Sequence, residues 1–338
     1  MGADYFDANT GLTEELGDCL WYLTVCAHRT QSSLSKIAAT ALSDVCTVGQ
    51  YRPKTFEEFD ALCGEERLDS LKVRQKCSEL ARASGEILGA IYEGGGSFRE
   101  RLPRIHLQMA IVLVTLLLLA RHNGIPLAKV AESNIQKTAS RWPIQGNRVR
   151  SKLFDDGLPQ EDRLPRRLQI RFVERNLGAR SVVHLRVDDL NIGDRLTDNI
   201  SEGDGYRYHD VFHLAYAAVL GWSPVTRALL KCKRKSRPDK DENEDGARAA
   251  IIEEAIATIA FNDAKRHNFY ADQKPLEYGL LKTIAGLTRG YEVEVCKLWE
   301  WEDAILTGFK VFNLLKGKAP NGGLVAMDLG SRTLELKE

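Results

Sequence analysis

The sequence predicts a mainly α protein, with a helical bundle over residues 1–143, a linker and small β hairpin over 144–205, and a second, mostly helical domain over 206–338. Three observations carry this expectation. From Leu12 to Trp142 apolar residues recur at spacings of three and four, the period of amphipathic helices, with few strand-like alternations. Leu168, Ile170 and Phe172 then alternate with polar neighbours, and a second β-rich run follows at Val182–Val187 across an NLGAR turn. From Tyr206 onward the helical spacing returns.

Size and charge bound what such a chain does. At 338 residues and 43% apolar content there is material for two hydrophobic cores. Lys plus Arg and Asp plus Glu both total 47, so no global field draws the protein to nucleic acid or an anionic membrane, and an anionic ligand must be met locally. The seven cysteines (Cys19, Cys26, Cys46, Cys63, Cys77, Cys232, Cys296) form no C-x-x-C pair and read as buried free thiols of a reducing compartment. The leading MGADYFDANTG is acidic and polar, unlike a secretory signal, which makes the cytoplasm the expected location. The apolar run Met109–Ala120 falls short of the roughly 20 residues that span a bilayer and reads as a helix buried in a bundle, with no membrane partner.

Within the first region, breaks fall at Val48–Pro53, at Gly94–Gly96 and at Asn123–Pro126, where an NGIP turn ends one helix and Pro126 starts the next. Gly94–Gly96 lacks a flanking strand and a G-K-[ST] sequence, so it reads as a hinge and not as a phosphate loop. Trp142-Pro143 closes the region, because a residue before proline disfavours helix. Residues 144–167, rich in charge, Gly and Pro, read as linker or irregular surface. In the last region the charged stretch Lys231–Gly246 is expected to be a mobile, solvated loop, its basic half cancelled by the acids that follow. The tail offers a last strand pair at Leu324–Met327 and Thr333–Leu336.

An internal repeat reorganises the first region. LSKIAATAL at 34–42 aligns with LAKVAESNI at 127–135, which sets Glu14–Asp18 opposite Leu107–Ile111 if one residue of slack is allowed in the turn. Each copy is a long apolar helix, a turn and a second amphipathic helix. The copies have diverged in opposite directions. The first keeps the carboxylates of EELGD but has Ala41, Asp44 and Val48 where the second has Asn134, Lys137 and Arg141.

EELGD is the first cluster that can carry chemistry. Residues at i and i+3 share a helical face, so Glu15 and Asp18 can converge on one hard cation, with Glu14 about 100° round the helix. Mg²⁺ takes oxygen ligands and retains water, so a few carboxylates plus substrate phosphates suffice. Equally, acids in a first helical turn favour the positive end of the macrodipole, and Thr13 can cap that turn. Lys137 and Arg141, at i and i+4, form either a phosphate clamp or a solvated face.

EELGDCLWYL, the turn and short helix after it, LARASGEIL and NIQKTASRWP together resemble the MazG-like all-α nucleoside triphosphate pyrophosphohydrolases over residues 10–143. The resemblance implies cleavage of the α–β phosphate linkage of NTP or dNTP to monophosphate and pyrophosphate. It implies Mg²⁺ (or Mn²⁺) held by carboxylates of two neighbouring helices, one carrying E-E-x-x-E and the next E-x-x-D, and assembly into homo-oligomers. Here E-E-x-x-E is represented by Arg82–Glu86, which keeps one carboxylate of three. If the two copies pack as a pseudo-dimer, Glu14, Glu15 and Asp18 of the first and Glu86, Asn134, Lys137 and Arg141 of the second make one composite site, with Glu15, Asp18 and Glu86 on the metal and Asn134, Lys137 and Arg141 on substrate. The alternative is a catalytically degenerate MazG-like scaffold or nucleotide sensor, with any chemistry in the C-terminal region.

That region has its own cluster. His209 and His213 are spaced i and i+4 with Asp210 between them, a spacing suited to holding a transition metal. About 40 residues later, Glu253 and Glu254 lie in an otherwise apolar helix, where charges rarely sit without partners. The five residues are candidate metal ligands. The contrary expectation pairs Glu253 or Glu254 with Lys233–Arg237 or Arg248 and packs the histidines on aromatic rings. The run HDVFHLAYAAVLGWSPVTRALL resembles the C-terminal extension of some MazG-like proteins.

Overall fold

The computed structural model describes residues 8–43, 52–62, 68–93, 97–143, 148–178, 180–272, 275–318 and 322–337. The hinge expected at Gly94–Gly96, most of the Val48–Pro53 break, Cys46 and Cys63 lie outside them. The protein is mainly α, and it divides into two units, Met1–Ala139 and Ser140–Glu338.

The first unit is built from α1 (Ala8–Arg29), α2 (Leu34–Ser43), α3 (Phe56–Leu62), α4 (Ser70–Tyr92), α5 (Phe98–His122) and α6 (Leu127–Arg141), of which Ser140 and Arg141 count with the second unit. The repeat is visible as two helix–turn–helix pairs, α1–α2 and α5–α6. Both turns have the same length, so no slack is needed between the copies. Leu16, Leu20, Leu23 and Ala27 of α1, and Ile37, Ala38 and Ala41 of α2, make the stripes that their spacing demands. They share a core with Ile105, Met109, Leu113, Leu116 and Leu117 of α5. By length and composition α5 is apolar enough to cross a membrane, and ten of its residues are buried in the bundle. Two local devices place α6. The Asp60 carboxylate of α3 accepts from the Leu127 and Ala128 amides and caps the helix from 67 residues away. Gly17 of α1 faces Asn134, whose Cβ would lie only 3.0 Å from a Cβ at that position.

The second unit contains a five-stranded antiparallel sheet in the order β3-β2-β1-β4-β5: β1 (Arg167–Leu177), β2 (Arg180–Val187), β3 (Leu190–Leu196), β4 (Gly323–Asp328) and β5 (Thr333–Lys337). The expected hairpin is its centre, closing at Leu177 opposite Arg180. The tail strands join the other edge of β1, with Ile170 opposite Val325, so hairpin and tail form one sheet. Gly322, at φ +65, makes that junction possible, since a Cβ there would sit 1.9 Å from the Phe172 carbonyl.

Against the sheet pack α7 (Asp210–Leu220) and α12 (Leu298–Gly317), with α8 (Pro224–Leu229), α9 (Pro238–Asn243), α10 (Ala247–Arg266) and α11 (Tyr278–Leu287) completing the unit. Every residue of α7 is buried, which makes it the centre of the core.

Three expectations are corrected. The 231–246 stretch is not a solvated loop: Arg234, 1% exposed, is held by both oxygens of Asp245 and by Glu292, and residues 238–243 are helical. Residues 148–166 are not merely surface linker, because the buried Asp155 accepts from Arg227 and from the Leu164 amide. Not all thiols are buried either; Cys19 and Cys77 are exposed, while Cys232 and Cys296 are buried.

Candidate functional site

In the first unit the acids of α1 meet the polar face of α6. Asp18 Oδ1 accepts from Asn134 Nδ2 at 2.9 Å and from Lys137 Nζ at 2.7 Å, and the same ammonium lies 3.4 Å from Glu14 Oε1. The pairing is Glu14 with Asp18, at i and i+4, while Glu15 is exposed on the other flank. This corrects the expected convergence of Glu15 and Asp18, because the buried leucines Leu16, Leu20 and Leu23 fix the rotation of α1 about its axis. Partial desolvation raises the neighbouring, largely exposed Cys19 thiol above its ordinary value, helped by the charges of Glu15 and Asp18.

Two residues of the expected composite site have other partners. Glu86 takes Arg82 of its own helix at 2.6 Å. Arg141, 4% exposed, binds the Leu276 carbonyl and lies 3.0 Å from Glu302, inside the second unit. Its one-turn spacing from Lys137 does not make a clamp, because Arg141 is consumed in a core contact. The Mg²⁺ that the resemblance implies requires several carboxylates around one point. Here a lysine ammonium already supplies counter-charge to Glu14 and Asp18, and no three of Glu14, Glu15, Asp18 and Glu86 form a group within reach of a common ion among the described residues. This donor set does not fit that ion.

The second unit offers a different arrangement. One ligand atom each from His209, Asp210 and His213 lies within 4.8 Å of the others, and all three residues are buried. Local sequence explains how. Gly205, at φ +94, turns the chain into a short 3-10 turn at Tyr206–Tyr208, and His209 directly precedes α7. His209 Nδ1 then meets the Tyr206 carbonyl at 2.9 Å, and its ring stacks on Tyr206 with centroids 4.4 Å apart. One turn on, His213 Nδ1 meets Glu253 Oε1 of α10 at 2.9 Å. Glu253 is entirely buried and also accepts from Ser223 Oγ at 2.6 Å and the Val225 amide at 2.8 Å. Glu254 lies 3.4 Å from His213 Nε2 and keeps 44% of its side chain exposed.

Both expected roles of the acids are therefore resolved by geometry. Glu253 and Glu254 do pair, but with His213 and not with Lys233–Arg237 or Arg248. Glu253 accepts from three donors, which fixes its carboxylate against His213 Nδ1. The electrostatics match. Burial lowers His209 below its ordinary value, and burial raises Asp210. Burial opposes charge on His213 too, but Glu253 and Glu254 outweigh it and hold the imidazole well above its ordinary value. Glu254 is pulled down, because the contacts with His213 overcome the effect of burial. Sequence reasoning missed Tyr206 and Ser223. Ser223 had a signal, since S-P marks an N-cap followed by proline at N1, and Ser223 does cap α8. Tyr206 had none.

The second unit is a helical layer on an antiparallel sheet, with two histidines and a carboxylate brought together at the start of its central helix. The family model described as MazG C-terminal domain matches residues 149–338, and the chain belongs to that family. No curated protein and no solved structure matches the chain.

Proposed function

We propose that this chain is a MazG-like, divalent-metal-dependent hydrolase of nucleoside triphosphates, whose chemistry resides in the C-terminal His/Glu cluster while the N-terminal bundle is a catalytically degenerate scaffold. One observation carries the reading: Glu14 and Asp18 are compensated by Lys137, whereas His209, Asp210 and His213 present converging ligand atoms. The nucleotide class rests on the family and on the likeness of residues 10–143 to pyrophosphohydrolases. A divalent ion held by His209, Asp210 and His213 would supply Lewis-acid chemistry for phosphate hydrolysis. Glu254, 3.4 Å from His213 and half-exposed, is the carboxylate of the cluster that solvent reaches, which supports the reading.

The test is hydrolysis of an NTP and dNTP panel by the full chain with Mn²⁺ or Mg²⁺, reading monophosphate and pyrophosphate. His213→Ala is expected to abolish turnover and Asp18→Ala to leave it within about twofold. Loss on Asp18→Ala with His213→Ala unaffected would return the chemistry to the bundle and overturn the proposal.

A further inference from the structure

Two ring nitrogens decide the chemistry of the C-terminal cluster. A carbonyl oxygen can only accept, so His209 Nδ1, at 2.9 Å from the Tyr206 carbonyl, carries a proton and leaves its Nε2 lone pair free. Glu253 likewise accepts from His213 Nδ1, so an ion that displaces the second proton, which the two glutamates hold on the metal-free ring, would meet the His213 Nε2 lone pair. His213 Nε2 is buried without a hydrogen-bond partner, since 3.4 Å to Glu254 is beyond a well-formed bond for that pair. His209 Nε2 lies 3.2 Å from Asp210 Oδ1. Ligating histidines characteristically donate their other ring N–H to a carbonyl or carboxylate, and both do so here.

Charge points the same way. Asp210, Glu253 and Glu254 are brought together at two imidazoles, and no Lys or Arg pairs with them among the described residues. Three carboxylates gathered at two imidazoles suit a cation, either the proton held on His213 or a metal ion that replaces it.

We infer that His209 Nε2, His213 Nε2 and Asp210, with Glu254 as an exchangeable fourth ligand, hold one divalent transition-metal ion of the Mn²⁺, Fe²⁺, Co²⁺ or Zn²⁺ class in preference to Mg²⁺. This names the cofactor of the site in the proposed function and rests on that site, but not on its turning over nucleotides. Two nitrogen donors select against Mg²⁺, which favours an all-oxygen shell, and suit ions that bind imidazole. Ligands at about 2.1 Å from a tetrahedral ion lie about 3.4 Å apart. The ligand atoms here lie within 4.8 Å of one another, so they would draw together on a bound ion. Glu254 is the one half-exposed member, so the cluster meets solvent on its side.

The experiment strips the full chain with chelator, then dialyses it against Mn²⁺, Co²⁺, Zn²⁺ or Mg²⁺ and measures bound metal by elemental analysis, with the Co²⁺ form followed by its visible absorption bands. About one Mn²⁺, Co²⁺ or Zn²⁺ per chain is expected, with Mg²⁺ retained at least tenfold more weakly. His209→Gln and His213→Gln should lose the ion, and Asp18→Ala should keep it. Glu254→Gln, at a half-exposed position that tolerates change, should keep the ion while altering the Co²⁺ spectrum. Stoichiometric binding that survives both histidine variants, an unchanged Co²⁺ spectrum in Glu254→Gln, or equal affinity for Mg²⁺ would each overturn the assignment. Metal bound as expected without nucleotide hydrolysis would sink the proposed reaction and leave the metal site standing.

Discussion

Glu253→Gln changes one atom and separates orientation from ligation. The carboxylate accepts three hydrogen bonds, from His213 Nδ1, Ser223 Oγ and the Val225 amide, and has no exposed surface. A glutamine amide offers one oxygen and one NH₂ group. With the oxygen towards His213 and Ser223, the NH₂ faces the Val225 N–H and two donors oppose each other. With the amide turned over, its NH₂ faces His213 Nδ1 and forces the proton to Nε2, which removes the lone pair that would meet a metal. The first arrangement leaves buried donors unmet at about 1–3 kcal/mol, which for a domain of this size lowers Tm by about 2–12 °C. The second weakens metal binding about 10- to 100-fold. The two outcomes can be read together by following the melting of the full chain with and without Mn²⁺: the variant should melt lower and gain less from the ion than the parent does. A variant that melts with the parent and gains equally from Mn²⁺ would refute the idea that Glu253 holds His213 in its binding tautomer.

The ionic core of the second unit yields two further expectations. Arg234→Met leaves Asp245, itself 1% exposed, without its bidentate partner and should destabilise the unit by about 3–5 kcal/mol in denaturant titration; a midpoint equal to the parent's would show that Asp245 finds another donor. Asp155 is held below its ordinary value of 3.8, because the hydrogen bonds from Arg166 and Leu164 and the charge of Arg227 overcome the opposing effect of burial. A depressed carboxyl stabilises the fold fully above that ordinary value, and its contribution disappears as pH falls from there through the folded-state value. Acid titration of Asp155→Asn should therefore show a shallower loss of stability below pH 3.8 than the parent, and identical slopes would contradict the assignment.

Much of the architecture was legible locally. Helical spacing placed α1, α2, α5 and α6, since each buries one stripe, and the NGIP turn fell between α5 and α6. Alternation located β1 and β2, because a half-buried strand must point every second side chain inward. The 231–246 stretch was misread because composition alone reports high charge. It does not report that Arg234 and Asp245, eleven residues apart, satisfy each other in the interior. Arg141 was misread for a related reason: a basic residue one turn from Lys137 looks solvent-facing until Glu302 and the Leu276 carbonyl are brought to it.

By itself the sequence determined that His209 and His213 share a helical face, that Glu253 and Glu254 needed partners in an apolar helix, and that EELGD and the Asn134/Lys137 helix belong to copies of one repeat. These follow from the 3.6-residue period and the cost of burying charge, which act over short stretches of chain. Only the tertiary structure decided that Glu14 and not Glu15 joins Asp18, that Lys137 meets them both, and that Glu253 orients His213 while Glu254 stays at the open side. Adjacent helical residues point about 100° apart, so which of two neighbouring acids reaches a site depends on the rotation of the helix in its core. That rotation is set by contacts between segments 40 to 119 residues distant, which no local pattern records.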